Sequence, residues 1–173
     1  MLNQLLSRPR RVFAGIALLC VALLAFAILY LQHVVGLAPC PMCIVQREAF
    51  IVLALCCLLA AGTRRRGLWF LWGGLGVVAA AFGAFTAARQ SWLQWNPPEF
   101  ATCGRDLYGI IESFPLNRAI PMIFRGGGDC SAVDWTLLGG SIANWSFVGF
   151  VGLGLAIVVT LATSARIDSA RTQ

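Results

Sequence analysis

Residues 12–32 read VFAGIALLCVALLAFAILYLQ, a stretch with no charge whose portion Phe13–Leu31 is almost wholly apolar. An α-helix needs about 20 such residues to cross the hydrocarbon core of a bilayer. Irregular backbone in lipid would leave its N–H and C=O groups unpaired, so the run reads as a spanning helix. Arg8, Arg10 and Arg11 precede it, as basic residues precede a secretory signal. The run is too long for a typical signal core, however, and no A-x-A-like cleavage site follows, so it is expected to be retained.

Three more uncharged runs lie downstream. Ala49–Thr63 reaches spanning length if its helix extends back to about Cys43. Gly67–Ala88 is rich in Gly and Ala, which lets helices approach closely. Trp145–Ala165 opens on an aromatic residue suited to the membrane interface. The fold class expected is an all-α membrane protein, a single domain forming an antiparallel four-helix transmembrane bundle. Its spans cover approximately 12–32, 43–63, 67–88 and 145–165. A short link, 33–42, joins the first two, and a long, partly irregular link, 89–144, joins the third and fourth.

Composition agrees. The chain is 59% hydrophobic and 12% charged, whereas a soluble domain is about a quarter charged. The net charge of +6 comes from thirteen arginines and no lysine. These arginines flank apolar runs and form no stripe, so they read as topology signals and not as a nucleic-acid surface. The N-terminus, the Arg64–Arg66 turn and the C-terminal tail hold eight arginines against one acid, Asp168. The links 33–42 and 89–144, with Arg47 and Glu48 at the edge of the first, carry five arginines against six acids. The positive-inside rule then puts both termini in the cytoplasm and both links outside, in the periplasm of a bacterial inner membrane.

The seven cysteines divide along the same line. Cys20, Cys56 and Cys57 fall inside spans, where a free thiol behaves as a small apolar side chain. Cys40, Cys43, Cys103 and Cys130 fall in or beside the outward links, and an even number in an oxidising compartment points to disulfides. Cys40-Pro41-Met42-Cys43 is a C-x-x-C pair. A c-type haem site would need His where Ile44 stands. A metal site built from all four outer cysteines is an alternative, although zinc sites usually use two tight pairs. A scaffold with structural disulfides is another. A Cys103–Cys130 bridge would stabilise by roughly 3–4 kcal/mol, whereas a ring as small as Cys40–Cys43 constrains little of the unfolded chain.

Redox chemistry is favoured by the surroundings of Cys43. It lies where the second helix is expected to begin, and a helix N-terminus carries partial positive charge and unpaired N–H groups that stabilise a thiolate. Arg47 is one turn further on the same face. It could equally be an interfacial arginine reaching for headgroups or pairing with Glu48. Gly126, Gly127 and Gly128 precede Asp129 and Cys130, and would give that part of the long link freedom to move.

The segments Gln32-His33, Pro39-Cys40-x-x-Cys43-Ile44-x-x-Arg47, Phe100-Ala101-Thr102-Cys103, Pro115-Leu116, Gly128-Asp129-Cys130 and Trp135 together closely resemble the DsbB family of disulfide bond formation proteins. The resemblance covers nearly the whole chain in the same order. It implies a quinone-dependent thiol oxidase that reoxidises DsbA, a periplasmic thioredoxin-fold protein, and passes two electrons to ubiquinone or menaquinone in the membrane pool. By position, Cys103 would form the mixed disulfide with the partner, Cys130 would exchange with Cys40, and Cys43 would meet the quinone with Arg47 beside its carbonyl oxygen. Pro115–Phe124 resembles the family's membrane-surface helix. Two positions depart from the pattern. Gln90, next to Arg89, stands where the best-known members carry a histidine near the quinone, and Ile142 stands in place of a methionine. Vitamin-K-epoxide-reductase-like proteins share the C-x-x-C and quinone logic, but their loop cysteines lie between the first two spans.

Overall fold

The structure is a computed structural model that describes residues 9–97 and 128–171. Four helices in it are long and apolar enough to span a membrane. Helix α1 covers Pro9–Ala25 and continues, π-wound, through Phe26–Val34. Helix α2 covers Pro41–Gly62 and α3 covers Arg66–Trp95. After the short α4, Gly128–Ser131, a two-stranded antiparallel hairpin pairs β1 (Thr136–Leu137) with β2 (Gly140–Ser141) and leads into α5, Ile142–Arg171. Helix α2 packs against α1 and α3, α3 packs against α5, and a lighter α1–α5 contact closes the bundle.

The expected fold class therefore stands, with three local differences. The third helix does not stop near Ala88 but runs to Trp95, so Arg89 and Gln90 are helical and not part of the link. Nothing in Arg89–Trp95 breaks a helix; the stop comes at Asn96, whose backbone and side-chain N–H groups both donate to the Trp92 carbonyl, with Pro97 following. The second difference is the hairpin. Its turn residues, Leu138 at φ 52° and Gly139 at φ 80°, have the left-handed backbone of a tight hairpin turn, and leucine is an unusual occupant there. The indole N–H of Trp145 donates to the Leu137 carbonyl at 2.9 Å and holds the hairpin onto α5. The third is the π-winding of α1, in which Val35 N–H reaches back five residues to the Tyr30 carbonyl.

Packing explains the glycines of α3. Gly73, Gly76 and Gly83 share the face turned to α5, against Leu161, Ile157 and Phe150 respectively. A Cβ at Gly83 would overlap the Phe150 ring, which stacks on Phe50 of α2 with centroids 3.9 Å apart. Phe13, Cys20, Leu53 and Cys57 fill the rest of the core. Leu18, Val78 and Leu155 are among the many large apolar side chains left exposed around the bundle, the pattern of a surface that faces lipid.

The bundle has two chemically different ends. At one, the Arg10 guanidinium donates to the Thr63 carbonyl, which brings Arg10 to the Arg64–Arg66 turn. At the other lie Cys40, Cys43 and Cys130.

Candidate functional site

The cysteine end is built on the start of α2. Cys40 is the N-cap: its backbone is extended (φ −70°, ψ 161°) and its sulfur accepts the Cys43 N–H at 3.2 Å. Pro41 occupies the first helical position, where a missing N–H costs nothing and the fixed φ suits the helix. The sequence Cys-Pro-x-Cys thus starts a helix and folds the two sulfurs together, 2.6 Å apart.

Helix α4 supplies a third sulfur. Cys130 is buried beside Cys40, Met42 and Leu93, with Cys43 packed against the same cluster. The side chains of Cys130 and Cys40 are hydrogen-bonded. The order is therefore Cys130, Cys40, Cys43, a row of three sulfurs with Cys40 between the other two. The hydrogen bond with Cys130, then that with Cys43, then burial hold the Cys40 thiol well above the ordinary thiol range.

Gln90 faces this row from α3. Its amide nitrogen lies 3.3 Å from the Cys43 sulfur and 3.4 Å from that of Cys40. Its oxygen accepts a 2.6 Å hydrogen bond from the amide of Gln46, one turn beyond Cys43 on α2. Both glutamines are buried. The Cys40 thiol, the Gln90 amide N–H and the nearby charge of Arg47 all act on the Cys43 sulfur, the kind of surroundings that hold an anionic thiolate.

Arg47 is more constrained than its sequence position suggests. Its guanidinium donates to the Gln32 side-chain oxygen at 2.6 Å and to the Ala27 carbonyl at 3.4 Å, both in the π-wound part of α1, rather than pairing with Glu48. Arg47 is half-buried, held by α1, and near enough for its charge to act on Cys43. A separate apolar cleft of about 220 Å3, lined by Val45, Val52, Ala79 and Phe82 among others, opens between α2 and α3 and includes neither Cys43 nor Arg47.

Of the residues singled out from sequence, the structure brings together Cys40, Cys43, Cys130, Gln90 and Arg47. Cys103, the Pro115–Phe124 segment, Gly126 and Gly127 lie outside the described residues. Ile142 is the first residue of α5. Sequence reasoning misses Gln46, although an amide three residues after Cys43, one turn along the same helix, is an available signal. It also misses the anchoring role of Gln32. Among the described residues no three His, Cys, Asp or Glu side chains are arranged to hold a metal ion.

A membrane bundle presenting a row of cysteines at one end defines a class, the integral membrane proteins of thiol–disulfide chemistry. The chain belongs to the family described as Disulfide bond formation protein DsbB, whose match covers residues 9–160. It is similar to the Disulfide bond formation protein B of Acidovorax sp. (strain JS42), 61% identical over 166 residues, covering 96% of this chain and 95% of that one. The protein of the same description from Paracidovorax citrulli is 62% identical, with 95% and 93% covered. That from Verminephrobacter eiseniae is 64% identical, with 91% and 89% covered. No solved structure matches. The chain is thus a multi-pass membrane protein of disulfide bond formation.

Proposed function

We propose that the protein reoxidises a DsbA-like, thioredoxin-fold dithiol protein on the periplasmic side of a bacterial inner membrane and delivers the two electrons to a membrane quinone. The observation that carries this reading is the row of sulfurs Cys130, Cys40, Cys43 ending at Gln90. Disulfide exchange needs in-line approach of a thiolate to a disulfide, and a row of this kind lets it pass from one pair to the next.

The steps balance as exchanges. A partner thiolate attacks Cys103 of a Cys103–Cys130 disulfide, forming a mixed disulfide and releasing Cys130. Cys130 attacks Cys40 of the Cys40–Cys43 disulfide, forming Cys40–Cys130 and releasing Cys43 as a thiolate. Attack falls on Cys40 because Cys43 is the better leaving group, with the Gln90 amide and the charge of Arg47 to support its thiolate. The partner's second thiol resolves the mixed disulfide and leaves oxidised, and Cys103 then takes Cys130 back from Cys40. The reduced Cys40–Cys43 pair remains, holding two electrons and two protons.

A quinone supplies the two-electron, two-proton acceptor. The residues present fit one: a half-buried cysteine near the start of α2, and a guanidinium held in place by α1 that is a donor suited to a carbonyl oxygen. Arg47 would hold one oxygen, and Cys43 would face the ring.

The test is turnover in lipid nanodiscs with ubiquinone or menaquinone and a reduced thioredoxin-fold dithiol protein. The quinone's ultraviolet band should bleach in step with loss of partner thiols, and Cys43→Ser should abolish the bleaching. Full turnover by Cys43→Ser would overturn the relay.

A further inference from the structure

The Gln46–Gln90 pair carries more than packing. Gln46 donates to the Gln90 oxygen at 2.6 Å, so that oxygen is engaged by Gln46 and stands further from the Cys43 sulfur, at 3.8 Å, than the Gln90 NH2, which faces both sulfurs at 3.3 and 3.4 Å. Turning the Gln90 amide alone would set two NH2 groups against each other across that short contact. The orientation of Gln90 is therefore tied to Gln46, and the two can reverse only together. We infer that Gln46 is a positioning residue for the redox pair: through its hydrogen bond it holds the Gln90 amide with N–H donors toward Cys40 and Cys43.

Chemistry gives the arrangement its use. A thiolate wants donors, and an NH2 aimed at both sulfurs serves whichever of them is released from a disulfide. The Gln90 oxygen is also 3.8 Å from the Cys43 sulfur, so a protonated thiol has an acceptor close by. Neither amide titrates, so the support does not switch off as pH changes. The other charged or titratable groups around the sulfurs, among the described residues, are Cys130 from α4 and Arg47 from α2. Gln46 would act on the sulfurs only through Gln90.

The inference rests on the reading of Cys43 as the reactive thiolate, and the experiment separates the two. The full-length protein is reduced, exposed to iodoacetamide across a pH series, and the alkylation rates of Cys40 and Cys43 are read by mass spectrometry. No quinone or partner is needed. In Gln46→Met the rate profile of Cys43 should move to higher pH by about one unit, a tenfold loss of thiolate on the acid side of the profile. Gln90→Met should do the same, and the double variant should move no further than either single one. Gln46→Glu gives a second route: a carboxylate can only accept, so it draws the Gln90 NH2 away and shifts the profile at least as far. An unmoved profile in Gln46→Met or Gln46→Glu, or a Gln46→Met shift that persists in the Gln90→Met background, would overturn the positioning role. Preferential alkylation of Cys40 at every pH in the unaltered protein would instead overturn the assignment of Cys43.

Discussion

Cys40 performs two tasks with one sulfur. It caps α2 by accepting the Cys43 N–H, and it stands between Cys43 and Cys130. Its thiol is raised above the ordinary range by those two neighbours and by burial, so in the reduced protein it keeps its proton where Cys43 does not need to. Alkylation of Cys40 should therefore stay slow as pH passes about 8.5, where a free cysteine titrates. A Cys40 profile matching that of an exposed thiol would count against the buried, three-sulfur arrangement. Arg47 makes a second prediction at this scale. Its two N–H groups reach two acceptors on α1, a geometry the single ammonium of lysine does not reproduce. On the proposed function, Arg47→Lys should raise the apparent KM for quinone by roughly tenfold, about 1.4 kcal/mol, with a smaller fall in kcat. The Cys-Pro-x-Cys pair and its arginine are legible in the sequence because their chemistry is local to one helix start. The Gln46–Gln90 contact and the Arg47–Gln32 contact are not, because each joins residues on different helices that no spacing rule relates.

Elements explain where the site sits. Helix α3 has to run past the expected membrane edge to carry Gln90 to the sulfurs, and it does so because no breaker precedes Asn96. The charge of Arg89 suggests a link when read in sequence; in an amphipathic helix end it is an ordinary interfacial residue. The far end of α3 is tied to α5 through Gln94, which shares a 2.6 Å hydrogen bond with Ser141, while Ser141 also accepts the Asn144 N–H as a helix cap. Glycines set the distance between the same two helices. Their abundance in residues 67–88 is legible as close packing, but which ones matter is decided by the Phe150 ring and the Leu161 branches that fill the grooves. Gly83→Val should push Phe150 out of its stack on Phe50 and cost about 1–3 kcal/mol, seen as a lowered unfolding temperature in detergent. Gly152→Val, where a Cβ meets nothing within 4 Å, is the matched control and should be close to neutral. Equal losses at the two positions would mean that helix propensity, not the α3–α5 fit, dominates.

At the scale of the whole molecule, charge and chemistry sort to opposite ends. The four spans are the most legible part of the sequence, because a bilayer tolerates few alternatives. The bundle adds what loop counting alone does not supply: Arg10 reaches Thr63, so its charge joins that of the Arg64–Arg66 turn at one end of the bundle. The proposed orientation puts that end in the cytoplasm and the cysteine end outside. Two exposed positions report on this. Leu138 is the tip of the hairpin and 89% exposed, while Gly62 lies at the opposite end with open space around it. In spheroplasts, a membrane-impermeant maleimide should label Leu138→Cys at once and Gly62→Cys only after the membrane is permeabilised. Replacing Arg64, Arg65 and Arg66 together with asparagine should weaken that asymmetry, because it removes three arginines from that end of the bundle. Immediate labelling at Gly62→Cys in an otherwise unaltered chain would reverse the proposed orientation and put the row of sulfurs on the reducing side, where no relay of disulfides could be sustained.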